Sequence, residues 1–86
     1  MPRRSILCEL DAEILEVLPA SVGPGLWLTG NGVALLVHAD PELVRHRLRA
    51  LADRRVVVDD WRLPPAFART LQGDCALFRA LGAAAA

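Results

Sequence analysis

Between Pro41 and Arg55 the chain reads PELVRHRLRALADRR, and its apolar residues leave little choice of structure. Val44, Leu48 and Leu51 recur at the spacing that stacks side chains along one face of an α-helix. Asp40 is suited to the N-cap and Pro41 to the first helical position, so a helix is predicted over 41–55. Arg45, His46 and Arg49 fall away from the apolar stripe. Arg54 and Arg55 close the last turn, where cations suit the negative end of the helix dipole. A helix that buries one side and shows guanidinium groups on the other either sits in water or meets phosphate. The plain alternative is a solvated face with pairs such as Asp53 to Arg49 at four-residue spacing.

The 86 residues make one domain, and 53% of them are hydrophobic, enough for a small core. The formal charge is zero, which argues against a strongly non-specific nucleic-acid binder. The charge is unevenly placed. Residues 1–40 carry Arg3 and Arg4 against Glu9, Asp11, Glu13, Glu16 and Asp40, whereas residues 41–55 carry five arginines against Glu42 and Asp53. The remainder balances, so a basic helix is set on an acidic body. All ten basic residues are arginine, which codon usage in a GC-rich genome explains without any function.

Cys8 and Cys75 belong to no close-spaced ligand motif and are read as two buried thiols of a reduced compartment, with a single disulfide between them as the alternative. Acidic residues Glu9, Asp11 and Glu13 interrupt any signal-peptide core. The longest stretch without a formal charge, Val17 to Ala39, holds two prolines and four glycines and does not read as a membrane span. A soluble, cytoplasmic protein is expected, with no membrane partner.

Asp11 to Leu18 reads as a first helix, with Leu10, Ile14, Leu15 and Leu18 facing inward and Pro19 limiting it. A loop over Ser21–Gly25 leads to a brief strand at Leu26–Leu28. Residues 29–38 admit two readings. Asn31-Gly32 between apolar runs is a hairpin signal, giving strands 26–29 and 33–38. Alternatively Thr29 caps a helix from about Gly30 to His38, with Val33, Ala34 and Val37 inward. Val56–Val58 reads as a strand ended by Asp59-Asp60, with Trp61-Arg62-Leu63 returning as its partner. After Pro64-Pro65, residues 66–81 read as a helix interrupted at Gly73-Asp74, its apolar set being Phe67, Leu71, Leu77, Phe78 and Leu81. Trp27 and Trp61 are expected to pack over the core.

Taken together, LDAEILEVL at 10–18, LWLTGNGVALLV at 26–37 and DPELVRHRLRALADRRVVV at 40–58 resemble a winged helix-turn-helix domain of the prokaryotic or phage regulator type. The resemblance covers about residues 10–63 and rests on apolar positions. Gly30 and Gly32 depart from the alanine-rich start usual for the second helix of such domains. The resemblance implies an α+β, mainly helical fold with a short β-wing tipped by Asp59-Asp60, and a C-terminal helix. It divides the chain into a DNA-binding unit at 1–63 and a helical dimerisation or packing segment at 64–86.

It also implies a transcriptional regulator whose third helix lies in the major groove of double-stranded DNA. Glu42, Arg45 and His46 would then read bases, while Arg47, Arg49, Arg54 and Arg55 contact phosphate and Arg3 and Arg4 form a basic arm. A homodimer through residues 66–81 would pair two half-sites. Two other readings stand beside this one. The first keeps the same fold as a protein-interaction adaptor within a larger assembly, without DNA. The hairpin reading gives a ferredoxin-like α+β domain with strands at 5–9, 26–29, 33–38 and 56–58. Neither the histidines nor the cysteines have metal-ligand spacing, the glycine-rich segments lack a phosphate-loop lysine, and no constellation supports catalysis, so no metal, cofactor or enzymatic activity is expected.

Overall fold

A computed structural model describes the backbone of residues 9–85 and the side chains of residues 9–82. Arg3, Arg4 and Cys8 lie outside the described residues, as do residues 5–8 of the strand expected there. The element order is α1 (Glu9–Val17), β1 (Leu28–Thr29), α2 (Gly30–Val37), α3 (Pro41–Asp53), β2 (Val57–Asp59), β3 (Ala66–Arg69) and α4 (Leu71–Ala85). The fold is a small α+β arrangement of four helices and one three-stranded antiparallel sheet, mainly helical.

Residues 30–37 form a helix, which excludes the 33–38 strand and with it the ferredoxin-like alternative. The Thr29 hydroxyl decides the start by accepting the Gly32 amide at 3.1 Å. Both glycines fall in the first turn, where their conformational cost is lower than in a helix interior. Gly30 also packs closely on α3, since a Cβ there would stand 3.0 Å from Cγ of Arg45 and that stem would have to shift slightly. The helix ends at His38, which adopts a left-handed conformation (φ 56°) and donates its amide to the Ala34 carbonyl. Ala39 and Asp40 complete the turn, and Oδ2 of Asp40 accepts the Leu43 amide at 3.1 Å to cap α3.

The predicted apolar stripes converge in one core. Ile14, Leu15 and Leu18 meet Val33 and Ala34 of α2, Val44, Leu48 and Leu51 of α3, Val57 of β2 and Leu77 of α4, all buried. Burial of an aliphatic side chain of this size contributes about 1.5–3 kcal/mol, so this cluster is the main stabilising feature of the fold.

β3 is the central strand, lying between β1 and β2. It pairs Phe67 with Leu28 and Ala66 with Thr29 on one side, and Arg69, Ala68 and Phe67 with Val57, Val58 and Asp59 on the other. This corrects two expectations. The partner of β2 is Ala66–Arg69 rather than Trp61-Arg62-Leu63, and residues 66–69 are extended rather than helical. Pairing on both edges overrides the helix propensity of alanine. The expected division at residue 63 thus falls inside the β2–β3 loop, whose second strand belongs to the sheet.

Arg69 ties this sheet to the helices. Its Nη1 donates to the carbonyls of Leu18, at 2.9 Å, and Leu15 at the end of α1, and its Nε donates to Asp74 of α4. The Thr70 hydroxyl accepts the Gly73 amide at 3.0 Å and donates to the Arg55 carbonyl at 2.6 Å. α4 therefore starts at Leu71 and runs unbroken through Gly73-Asp74, against the interruption expected there. Of its expected apolar set only Leu77 is buried. Phe67 sits half-buried on β3, while Leu71, Phe78 and Leu81 are exposed. Cys75, expected to be buried, is an exposed free thiol on the outer side of the helix.

Gly73 is buried so tightly that a Cβ would come within 2.1 Å of the Val56 carbonyl oxygen. Gly73→Ala should destabilise the protein by about 1–3 kcal/mol, read as a lowered Tm in thermal denaturation. Gly82→Ala in the same helix meets nothing within 4 Å and should stabilise it, by up to about 1 kcal/mol.

Candidate nucleic-acid interface

α3 presents Glu42, Leu43, Arg45, His46 and Arg49 to solvent, opposite its buried stripe. Arg45 is oriented from two sides, donating to the Glu42 carboxylate one turn earlier and to Asn31 Oδ1 of α2 at 3.3 Å. Asn31 was no candidate from the sequence, where Asn31-Gly32 looked like a hairpin turn. Its spacing from Thr29, two residues into a capped helix, was the available signal. Arg45 and Arg49 border a cleft of about 320 Å³ with the start of α2 (Thr29, Gly30, Asn31) on one side. Asp59, Pro64, Pro65 and Phe67 of the hairpin close the other. The cleft thus has an apolar flank, two guanidinium groups and one carboxylate.

The remaining predicted residues are placed elsewhere. Arg47 turns toward α1 and grips Asp11 with Nε to Oδ1 at 2.8 Å and Nη2 to Oδ2 at 2.7 Å. Asp11 is completely buried, so this bidentate pair belongs to the helix packing, whereas the sequence had placed Arg47 among the phosphate contacts. Arg54 and Arg55 lie past the end of α3. Arg55 has a left-handed backbone (φ 64°) and borders a separate open groove with Val22, Trp61 and Leu71. Asp53 and Arg49 form no ion pair among the described residues.

The β2–β3 loop is longer than the expected Asp59-Asp60 tip. Asp60 organises it, accepting the Arg62 amide at 3.1 Å and the Ala66 amide at 3.0 Å on Oδ1. Trp61 and Leu63 project from the tip at 87% and 95% exposure, so Trp61 covers no core. Trp27 is half-buried. The tip therefore presents an indole, a leucine and the Arg62 guanidinium, which lies 3.7 Å from Oδ2 of Asp60.

Among the described residues, no group of three or more His, Cys, Asp or Glu side chains is placed to hold a metal ion. No helix among them is long and apolar enough to cross a membrane. Compared with known proteins, the chain matches no family model, no curated protein and no solved structure.

Two measurements test this division of labour. Arg47→Ala leaves the buried Asp11 carboxylate without its bidentate partner and should cost about 3–5 kcal/mol, whereas Arg49→Ala should change stability by less than about 0.5 kcal/mol in chemical denaturation. The amide of Ala66 above all, with the amide and guanidinium of Arg62, holds the Asp60 carboxyl below its ordinary pKa against partial desolvation. A group depressed on folding supports the loop at neutral pH and releases it only as pH falls through the lowered value. The Asp60 carboxyl and the Arg62 and Ala66 amides should titrate together by NMR, with a midpoint below that of an ordinary aspartate.

Proposed function

We propose that the protein is a small sequence-specific DNA-binding protein of the winged helix-turn-helix type, acting as a transcriptional regulator in the cytoplasm. The observation that carries this reading is the two-sided build of α3. One face is fixed in the core by Val44, Leu48 and Leu51, and the other holds Arg45 and Arg49 beside an open cleft flanked by a hairpin. The order of elements supports it too. A capped α2, a three-residue turn and a capped α3 lead into a hairpin whose second strand pairs with β1.

In this reading the N-terminal half of α3 enters the major groove. Arg45 donates to a guanine edge, a contact that contributes about 1–3 kcal/mol of discrimination. Glu42 and Asn31 hold its guanidinium in advance, which lowers the entropy lost on binding. Glu42 and His46 face the neighbouring bases. Arg49, Arg54 and Arg55 meet phosphate, and the hairpin tip approaches the backbone with Arg62 in place of the acidic residues. Arg47 is left to the fold.

A second reading, a protein-interaction adaptor, is favoured by a different observation: Trp61 and Leu63 stand exposed on a chain of zero net charge. Fragments selected from random double-stranded DNA separate the two. The regulator should bind a recurrent sequence with an affinity that falls with salt in proportion to its few phosphate contacts. Arg45→Ala should relax the preference at one position, while Arg49→Ala should weaken all sequences alike and reduce the salt slope by about one. A folded protein that selects no sequence, and binds none at low salt, would leave the adaptor reading.

A further inference from the structure

α4 packs on the body through one side only. Gly73 and Leu77 are buried, and Ala76 and Ala80 half-buried. Opposite them run Leu71, Cys75, Phe78 and Gly82, all exposed, with Leu71 at 66% and Phe78 at 79%. Their intervals of four, three and four residues are those of a coiled-coil seam. An isolated helix of this length is marginal in water, but α4 is already anchored by Leu77, by the Thr70 cap and by the bond from Arg69 to Asp74. The face is therefore rigid before anything meets it.

We propose that this face binds a second copy of the same chain, with the two α4 helices parallel about a two-fold axis. The occupant follows from the charges beside the seam. Asp74 and Arg79 flank it on opposite sides, five residues apart, which is the spacing that a parallel pair of helices brings together across the interface. Each helix then supplies one Asp74, whose Oδ1 also accepts from Arg69 of its own chain, and one Arg79, so the pairing forms twice. An antiparallel arrangement sets Asp74 against Leu81 and Arg79 against Gln72, and neither is complementary. In the parallel arrangement Leu71 and Phe78 stack on their own counterparts, and Cys75 faces Cys75 of the second copy. The inference does not rest on DNA binding.

The full chain carrying Cys8→Ser tests it by sedimentation velocity, with circular dichroism as the control for folding. A reversible dimer is expected. Phe78→Glu should render it monomeric with its helicity kept, and Arg79→Glu should weaken association about three- to tenfold by turning two attractive pairs repulsive. Diamide, which takes two electrons and two protons from a pair of thiols, should give a covalent dimer that Cys75→Ser abolishes. A folded monomer at every accessible concentration, or a dimer indifferent to Phe78→Glu, overturns the surface. A dimer that needs Phe78 but does not cross-link through Cys75 overturns the parallel arrangement.

Discussion

Asp11 is the one charged side chain that is completely buried among the described residues, and both its oxygens are held by Arg47. A pair of this kind contributes little net stability compared with well-packed aliphatic residues, because desolvation offsets most of the attraction. Its effect is on geometry. The guanidinium fork meets a carboxylate in one plane, so α3 has one roll about its axis that satisfies Asp11. Turning it by a single residue would set His46 or Leu48 beneath the carboxylate and expose part of the apolar stripe. The pair consequently decides which arginines face outward, and the cleft depends on it.

The contact between α2 and α3 works by the same logic at closer range. Gly30 lies against the aliphatic stem of Arg45, and a Cβ there would require that stem to shift by a few tenths of an ångström. The stem covers the first turn of α2 while the head reaches Asn31 and Glu42, so one arginine both packs and points. The glycine that departs from an alanine-rich helix start is thus the residue against which the Arg45 stem packs most closely.

What the sequence made legible was local or periodic. Asp40-Pro41 and the Val44, Leu48, Leu51 stripe marked α3 because a cap and a repeat need no knowledge of distant residues. Residues 29–37 were undecidable on the same terms, since Thr29 caps a helix as well as Asn31-Gly32 turns a hairpin, and only burial of Val33 and Ala34 separates them. Ala66–Arg69 was misread because its strand state comes from two partners, Leu28-Thr29 and Val57–Asp59, distant in the chain. Thr70, three residues before Gly73, was a cap signal that a helix assumed to begin at 66 concealed. At the site, Arg45 and Arg49 were found from their place off the stripe. Arg47 has the same residue type on the same helix, and only the position of Asp11 across the core distinguishes it.

The distribution of exposed groups connects the two proposed contacts. With Arg47 paired to Asp11 and Arg45 paired to Glu42, α3 carries less free charge than its three arginines suggest, and Asp59 adds a carboxylate to the cleft. Such a surface has little long-range attraction for a polyanion, so on the proposed DNA reading non-specific affinity would be weak and discrimination would come from shape and directed hydrogen bonds. A single copy offers one short helix for that purpose. Two copies joined through α4 would present two, and the second contact would form at the high effective concentration set by a rigid link. If both proposals hold, the apolar face of α4 and the sparse charge of α3 would be two halves of one requirement: a weak, selective surface that becomes useful when it is doubled.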